Sequence, residues 1–213
     1  MRRLISRRLL TGLLLCEGVA RDDRKAASRL AVAELLDLPA TGLRFGMTPG
    51  GKPLLTCPEG AGFSRSHSHG VLLVGAARGG AVGVDLERLR PGLPLLDIAD
   101  SFFDAGEAAL LRAQPQGVQP RAFYTMWACK EAVLKADGLG IAKGLQPAQL
   151  AGLDWAPLWA GPGPVETQAG NVRLTVLHLD LPDGGYVAAL ATIGVPQRSW
   201  GRGWPGNRDP FGL

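Results

Sequence analysis

Residues 71–87, which read VLLVGAARGGAVGVDLE, decide the fold of this chain. The apolar run 71–77 predicts a buried strand, and the Arg-Gly-Gly sequence at 78–80 predicts a turn. Residues 81–87 alternate between apolar and other side chains, so they predict a second strand. The whole stretch is typical of an antiparallel β-hairpin.

Helical periodicity and chain-breaking residues locate the other elements on both sides of this stretch. The predicted segments are helices over 21–38, 97–103, 104–113 and 121–136, the last ended by Gly138 and Gly140, a short strand over 43–47, and a second hairpin formed by strands 172–179 and 186–193. Because each half of the chain offers helices and an antiparallel hairpin, the pattern favours the α+β class. We expect an N-terminal lobe over 1–92, a C-terminal lobe over 93–195 and a poorly ordered tail over 196–213.

Composition restricts the possible functions of the chain. Its 213 residues are 46% hydrophobic and 20% charged, which is typical of a folded globular protein. The net charge of +4 suits an anionic ligand or an acidic partner, and it is too small to indicate nucleic-acid binding. Cys16, Cys57 and Cys129 are odd in number and widely spaced, so we expect a reducing cytoplasm and no disulfides.

The N-terminus invites a different interpretation. Basic residues over 1–8 and apolar residues over 9–16 resemble the first two regions of a signal peptide. The apolar run is short, however, no A-x-A site follows it, and charges resume at Glu17. No run approaches the roughly 18 apolar residues of a membrane-spanning helix. We therefore expect a cytoplasmic protein that does not cross a membrane.

Two carboxylates stand out in the second strand of the opening stretch. Since side chains alternate along a strand, Val84 and Leu86 point to one face, and Asp85 and Glu87 point to the other. Neighbouring carboxylates repel unless a cation lies between them, and a hard divalent metal is the natural candidate. A solvated strand face is equally compatible with this pair taken alone.

The helix over 121–136 carries a second group of chemically active residues. Trp127, Glu131 and Lys135 are spaced by four residues, so they share one helix face. Glu131 could supply a third oxygen ligand to a metal, and Lys135 could bind a phosphate. An ordinary helix surface with a Glu–Lys pair explains the same spacing.

A polar segment over 63–69, FSRSHSH, precedes the strand 71–77. Its hydroxyls, arginine and imidazoles suit an anionic phosphate, and an unremarkable polar loop is equally compatible. Two histidines without a third ligand do not favour zinc. The segment 46–53, GMTPGGKP, nearly spells a phosphate-binding Walker A loop, but Pro53 stands where the hydroxyl residue belongs and a strand is expected to follow, which excludes that motif.

Taken together and in order, these segments resemble the Sfp-type 4'-phosphopantetheinyl transferases. The matching motifs are Gly51-Lys52-Pro53, Phe63-x-x-Ser66-His67-Ser68, Gly83-Val84-Asp85-Leu86-Glu87, Phe102-Phe103-x-x-x-Glu107 and Trp127-x-x-Lys130-Glu131-Ala132-x-x-Lys135-x-x-Gly138. The resemblance covers residues 20–145 well and the remainder only in layout. Each motif is weak alone, and five in the family's order are strong.

The resemblance implies two pseudo-symmetric α+β lobes with coenzyme A in the cleft between them. It implies that Mg²⁺ is held by Asp85, Glu87 and Glu131, that Lys135 contacts phosphate, and that Glu107 acts as the general base. The residues that it implies for coenzyme A are Arg21, Arg24, Lys52, Pro53, Ser66, His67 and Lys130, of which Lys52 and Pro53 would lie near the adenine.

The chain also departs from the family pattern. The family often has Asn where Ser64 stands, and Arg65 adds a positive charge that would assist in binding the 3'-phosphate. The region before Arg21 is short, so we expect the first lobe to lack its first strand.

The activity that the resemblance implies is transfer of phosphopantetheine from coenzyme A to a serine of an acidic acyl, aryl or peptidyl carrier protein, by a monomer. This chemistry needs charge stabilisation on the transferring phosphoryl group, which a metal and Lys135 would supply, and a base for the serine proton, which Glu107 would supply. Two other functions fit the same residues: a Mg²⁺-dependent nucleotide phosphohydrolase, and a coenzyme A or carrier-protein binding module without catalysis.

Overall fold

A computed structural model describes residues 2–5, 11–48, 51–138, 145, 150, 152–161 and 164–195. The strands within them are β1 (Arg2–Ile5), β2 (Thr11–Cys16), β3 (Arg44–Met47), β4 (Pro53–Cys57), β5 (Ala61–Ser68), β6 (Val71–Arg78), β7 (Ala81–Arg88), β8 (Val165–Ala169), β9 (Val172–Leu181) and β10 (Gly184–Ile193). The α-helices are α1 (Arg24–Leu36), α2 (Leu95–Phe102), α3 (Ala105–Arg112), α4 (Gln119–Asp137) and α5 (Ala156–Ala160).

The strands form two four-stranded antiparallel sheets and one small hairpin. The first sheet has the order β1-β2-β6-β5, the second has the order β7-β10-β9-β8, and β3 pairs with β4. Each large sheet contains the same unit, in which a strand leads to a helix and then to a hairpin whose last strand pairs with the first strand. The unit is β2-α1-β5-β6 in the first sheet and β7-α4-β9-β10 in the second. This repeat confirms the α+β prediction of two similar lobes.

The two sheets and their helices form four layers. Leu14 and Val74 pack under α1 on the outer face of the first sheet. Leu13, Leu73 and Val84 fill the space between the two sheets. On the outer face of the second sheet, residues of β9 and β10 pack against α4. Alternation along each strand therefore supplies one side chain to the inter-sheet core and the next to a helix.

The predicted hairpin between 71–77 and 81–87 is wrong. The chain does turn at Gly79 and Gly80, which have φ values of 78° and 87°, but β6 pairs with β2 and β5 whereas β7 pairs with β10. A side chain at Gly80 would lie 2.5 Å from the Ile193 carbonyl oxygen, so this glycine lets the chain pass from one sheet to the other. The lobe boundary at residue 92 stays a prediction, although β7 precedes it and pairs in the second sheet.

Two expectations for the N-terminal half are also wrong. Strands β1 and β2 both precede α1, so the first lobe does not lack its first strand, and the apolar run that resembled a signal peptide contributes β2 to the core. The segment 63–68 is not a polar loop, because it lies in β5. Backbone pairing with β6 overrides the polarity of its side chains.

The remaining elements are confirmed, with ends shifted by at most three residues. Among the described residues, no helix combines the length and apolar character needed to cross a membrane. The predicted tail over 196–213 and the predicted helix stop at Gly140 lie outside the described residues.

Candidate active site

The site begins at a close contact between β7 and α4. A β-carbon added to Gly83 would lie 1.8 Å from the Ala132 carbonyl oxygen and 2.4 Å from the Ala136 amide nitrogen, so no larger residue fits there. The backbone of α4 therefore lies directly on β7. Since Asp85 is two residues further along β7, it faces the same helix.

Asp85 lies at the centre of a buried polar network. The residue is only 3% exposed, and its Oδ1 accepts hydrogen bonds from Ser66 Oγ at 2.8 Å and from Lys135 Nζ at 2.6 Å. The Lys135 ammonium also donates to Ser66 Oγ, at 3.2 Å. The second oxygen, Oδ2, is buried and has no hydrogen-bond partner among the described residues. Such an orphaned oxygen has room to accept one further donor or a cation.

Serines of β5 hold this network across the junction of the two sheets. Ser64 Oγ accepts a hydrogen bond from the Val84 amide at 3.1 Å, and Ser68 Oγ accepts one from the Arg88 amide at 3.3 Å. Ser66 lies between them on the same face of β5. The alternating serines therefore join the edge strands β5 and β7, and they explain why the polar segment 63–68 is a strand.

Asp85, Glu87 and Glu131 form a group that we call the carboxylate cluster. Glu131, on α4, is 4% exposed, and its Oε1 has no partner among the described residues. Burial raises the pKa of Glu131, and Asp85 raises it further. Burial and then Asp85 raise the pKa of Glu87 to about 7, while Lys135 opposes the shift. Asp85 is thus close enough to Glu87 and Glu131 to disfavour their ionisation, and Lys135 offsets only part of this effect.

The carboxylate cluster has the donor chemistry of a magnesium site. All of its donors are carboxylate oxygens, which a hard divalent cation prefers. Two of these oxygens are buried and have no partner within the residues that the structure describes. In the described part of the chain, no three His, Cys, Asp or Glu side chains are already gathered as a metal cage. The Lys135 ammonium occupies the position beside Asp85 Oδ1 instead. The side chains of the carboxylate cluster are thus of the type that binds Mg²⁺. In this structure the Lys135 ammonium balances part of their negative charge.

Glu107 lies in a separate buried pair. It caps α3 together with Asp104: Glu107 Oε2 accepts from the Asp104 amide at 3.1 Å, and Asp104 Oδ1 accepts from the Glu107 amide at 2.9 Å. The same Oε2 lies 2.6 Å from the ammonium of Lys130 on α4. The two residues are 7% and 1% exposed, and burial raises the pKa of Glu107 despite the lysine. Lys130, expected among the coenzyme A residues, therefore has its charge committed to Glu107.

Cations surround His67 at the other end of the site. His67 is exposed on β5, and its pKa is lowered by partial burial and then by Arg24, Lys135, Arg65 and Arg21, in decreasing order. Arg65 also donates to Ser28 Oγ at 3.3 Å, which fixes it against α1. Arg21 and Arg24 thus lie close enough to His67 to lower its pKa. This part of the surface is suited to an anion.

Lys52 and Pro53 approach the site from the small hairpin. Pro53 begins β4. The Lys52 ammonium donates to the backbone carbonyls of Lys135 and Ala136, the latter at 3.4 Å. Burial lowers the pKa of Lys52, while Asp137 opposes that shift. The ammonium therefore contacts the end of α4.

Sequence reasoning did not foresee three features of this site. They are the close approach at Gly83, the Glu107–Lys130 ion pair and the contact of Lys52 with α4. The spacing Asp-x-x-Glu over 104–107 was a readable signal for the cap of α3. The contact of Lys52 with α4 could not be predicted from local sequence spacing, because it joins residues more than 80 positions apart.

Comparison with known proteins agrees with this geometry. The sequence model of the 4'-phosphopantetheinyl transferase superfamily matches residues 81–191, just over half of the chain. The 4'-phosphopantetheinyl transferase HetI of Nostoc sp. is 35% identical over 161 residues, which cover 71% of this chain and 61% of that protein. The enzymes psf-1 of Bacillus pumilus and Sfp of Bacillus subtilis are 37% and 31% identical, over 55% and 54% of this chain.

The chain spans between about half and three fifths of the length of these relatives. The matched region contains β7, α3 and α4, and hence the carboxylate cluster, Glu107, Lys130 and Lys135. The chain therefore belongs to the 4'-phosphopantetheinyl transferase superfamily.

Proposed function

We propose that this protein transfers the 4'-phosphopantetheine group of coenzyme A to a serine of an apo carrier protein and releases 3',5'-ADP. The serine Oγ forms a bond to the β-phosphorus, the bond between that phosphorus and the oxygen of the departing ADP breaks, and the serine proton passes to a base. The reaction needs positive charge around the phosphates and a group that accepts the proton.

The observation that carries the proposal is a pair of buried oxygens, Asp85 Oδ2 and Glu131 Oε1, in a network that also contains Lys135. Neither oxygen has a hydrogen-bond partner in the described part of the chain. Leaving two carboxylate oxygens unsatisfied in a protein interior is costly unless a cation joins them in the working state. Asp85, Glu87 and Glu131 would hold Mg²⁺. When bound, the metal would neutralise the charge of the pyrophosphate. Lys135 adds a second positive charge at the same position.

Coenzyme A binding is assigned to the cationic surface and the small hairpin. Arg21, Arg24 and His67, with Arg65 beside them, bind the 3'-phosphate region, since all three arginines act electrostatically on His67. Ser66 holds the side chains of Asp85 and Lys135 in place, because its hydroxyl donates to the carboxylate and accepts from the ammonium. Lys52 and Pro53 lie beside the adenine.

Glu107 is proposed to take the proton of the attacking serine. Its raised pKa supports this role, because a base with a pKa nearer the working pH is more effective. Lys130 acts through Glu107: its ammonium holds the carboxylate in position and opposes the rise in the pKa of Glu107.

The proposed partner is an acidic acyl, aryl or peptidyl carrier protein, which the net charge of +4 would attract. The protein would act as a monomer. A reducing cytoplasm suits its three cysteines, which are all free.

The direct test is intact-protein mass spectrometry of an apo carrier protein incubated with this protein and coenzyme A, with and without Mg²⁺. We expect the carrier to gain the mass of one phosphopantetheine group only with Mg²⁺, and Asp85→Ala to abolish the gain. Asp180→Asn, at an exposed position of β9, is the matched control and should behave as the unaltered protein. Release of 3',5'-ADP without a change in carrier mass would establish a hydrolase instead.

A further inference from the structure

The C-terminal end of α4 is held by a residue from another part of the fold. Lys52, which directly precedes β4, donates from its ammonium to the carbonyls of Lys135 and Ala136. The backbone of Lys52 is itself fixed, because its amide donates to Thr48 Oγ1 at 3.0 Å and its carbonyl accepts from the Thr48 amide at 2.8 Å. The contact thus starts from an anchored backbone and joins the β3–β4 hairpin to the end of α4.

A helix end needs such a contact for two reasons. The last four carbonyls of a helix have no intrahelical donor, and the end carries a partial negative charge. Lys135 lies in the last turn of α4, but its ammonium points to Asp85 and is not available to the helix end. Lys52 therefore supplies the cation that Lys135 does not.

The same residue links the helix end to the reaction site. The carbonyl of Lys135 accepts from Lys52, and the ammonium of Lys135 contacts Asp85 at 2.6 Å. Gly83 fixes α4 one turn earlier, where the helix backbone lies against β7. The last two turns of α4 are thus held at two points, and Glu131 and Lys135 both lie in this span.

We propose that Lys52 is a positioning residue that clamps the C-terminal turn of α4 and thereby holds the Lys135 ammonium at the phosphate-binding position. The inference rests on the proposed transfer for its catalytic consequence. It assigns the Lys52 ammonium a role in turnover, and this role is compatible with the stem of the side chain lying beside the adenine.

The test compares Lys52→Met and Lys52→Arg with Arg173→Met. Arg173 lies on β9, on the opposite face from the residues that pack against α4, so its loss removes one positive charge away from the site. Hydrogen–deuterium exchange of the peptide covering 131–138 is measured on the metal-free protein without substrate. The values of kcat and KM for coenzyme A are measured in the transfer assay with Mg²⁺.

In Lys52→Met we expect exchange at the end of α4 to become about tenfold faster, because a charge-assisted hydrogen bond to the helix end is lost. We expect kcat to fall about tenfold while KM changes by less than about threefold. Lys52→Arg should restore both values, since a guanidinium also donates to carbonyls. Arg173→Met should match the unaltered protein in both measurements.

Unchanged exchange at the end of α4 in folded Lys52→Met would overturn the clamp. A rise in KM alone, with kcat unchanged, would also overturn it and make Lys52 only a substrate ligand. If the unaltered protein transfers nothing, the proposed function fails, and the exchange measurement still decides whether Lys52 clamps the helix.

Discussion

The two copies of the repeated unit use the same architecture for opposite purposes. In the first copy, β2 presents Leu14 and Cys16 to α1, and both are buried in an apolar core. In the second copy, β7 presents Asp85 and Glu87 to α4, beside Glu131 and Lys135. A glycine precedes each pair by two residues, Gly12 in β2 and Gly83 in β7.

This difference shows that the contact between strand and helix stabilises the fold in the first copy and places charged side chains together in the second copy. The apolar copy gains free energy from burial, at roughly 25 cal/mol per Å² of apolar surface. In the polar copy, burial and Asp85 raise the pKa values of Glu87 and Glu131, and two carboxylate oxygens have no partner among the described residues. The strand and helix of the first copy thus meet through apolar side chains, whereas those of the second copy meet through carboxylates whose burial is costly unless a cation binds them.

The largest expected effect on stability comes from disrupting the buried Glu107–Lys130 ion pair. Glu107→Gln keeps the cap of α3 but leaves the Lys130 ammonium unpaired, so the free energy of unfolding should fall by about 3–5 kcal/mol. Glu166→Gln, at an exposed position of β8, should have no measurable effect. Urea denaturation of both variants checks the prediction.

The double variant Glu107→Gln with Lys130→Met separates stability from catalysis. Removing both charges should recover most of the lost stability, because no buried charge remains unpaired. Transfer should stay impaired in this variant if Glu107 takes the serine proton. Recovery of full turnover together with stability would show that Glu107 has only a structural role.

A smaller effect on stability is expected from glycine substitutions at the contacts of β7 with α4 and of β2 with α1. Gly83→Ala would place a β-carbon against the backbone of α4, at 1.8 Å from a carbonyl oxygen, and should cost about 3 kcal/mol or more of stability. Gly12→Ala meets only the movable end of Leu35, at 2.6 Å, and should cost about 1 kcal/mol.

Gly117→Ala is the control for both glycine substitutions, because a β-carbon there meets no atom of the described residues within 4 Å. Thermal and urea denaturation of the three variants gives the ranking. If Gly83→Ala and Gly12→Ala lowered the free energy of unfolding equally, both strands would tolerate a β-carbon beside their helix to the same degree. That result would contradict the difference inferred between the two copies.

The smallest effect concerns the pH dependence of the carboxylate cluster. The pKa of Glu87 is raised from its usual value to about 7 in the folded, metal-free protein. The folded state therefore holds this proton more tightly than the unfolded state, and stability decreases as pH rises from about 4.5 through 7. Glu87→Gln should remove this slope.

The gain in stability of Glu87→Gln over the unaltered protein should grow from near zero at low pH to about 1–2 kcal/mol at pH 8, after allowance for solvent screening. Denaturation in a chelating buffer across this pH range measures it. A constant difference at all pH values would contradict the mutual repulsion inferred for the cluster.

The sequence was informative where chemistry follows local spacing. Alternation placed Asp85 and Glu87 on one strand face, and helical spacing placed Glu131 and Lys135 on one helix face. The structure joins these two faces, and the second hairpin over β9 and β10 was also predicted correctly.

Non-local pairing was not predictable in the same way. The turn at 78–80 has the residues of a hairpin, but they do not tell whether the next strand pairs with the last one or passes to another sheet. The partner of β7 is β10, about 100 residues away, and only packing selects it. The segment 63–68 looked like a loop because its serines bond across a junction that sequence does not reveal. Gly83 offered no sign of the helix that covers it.

The central claim is that carboxylates from β7 and α4 together bind one divalent ion. The most direct measurement is titration of the purified protein with Mn²⁺, followed by electron paramagnetic resonance of the free ion, for the unaltered protein and for Glu131→Gln. We expect one site per chain in the unaltered protein and at least about tenfold weaker binding in the variant, because a ligand is lost. Equal affinity in the two proteins would contradict the account.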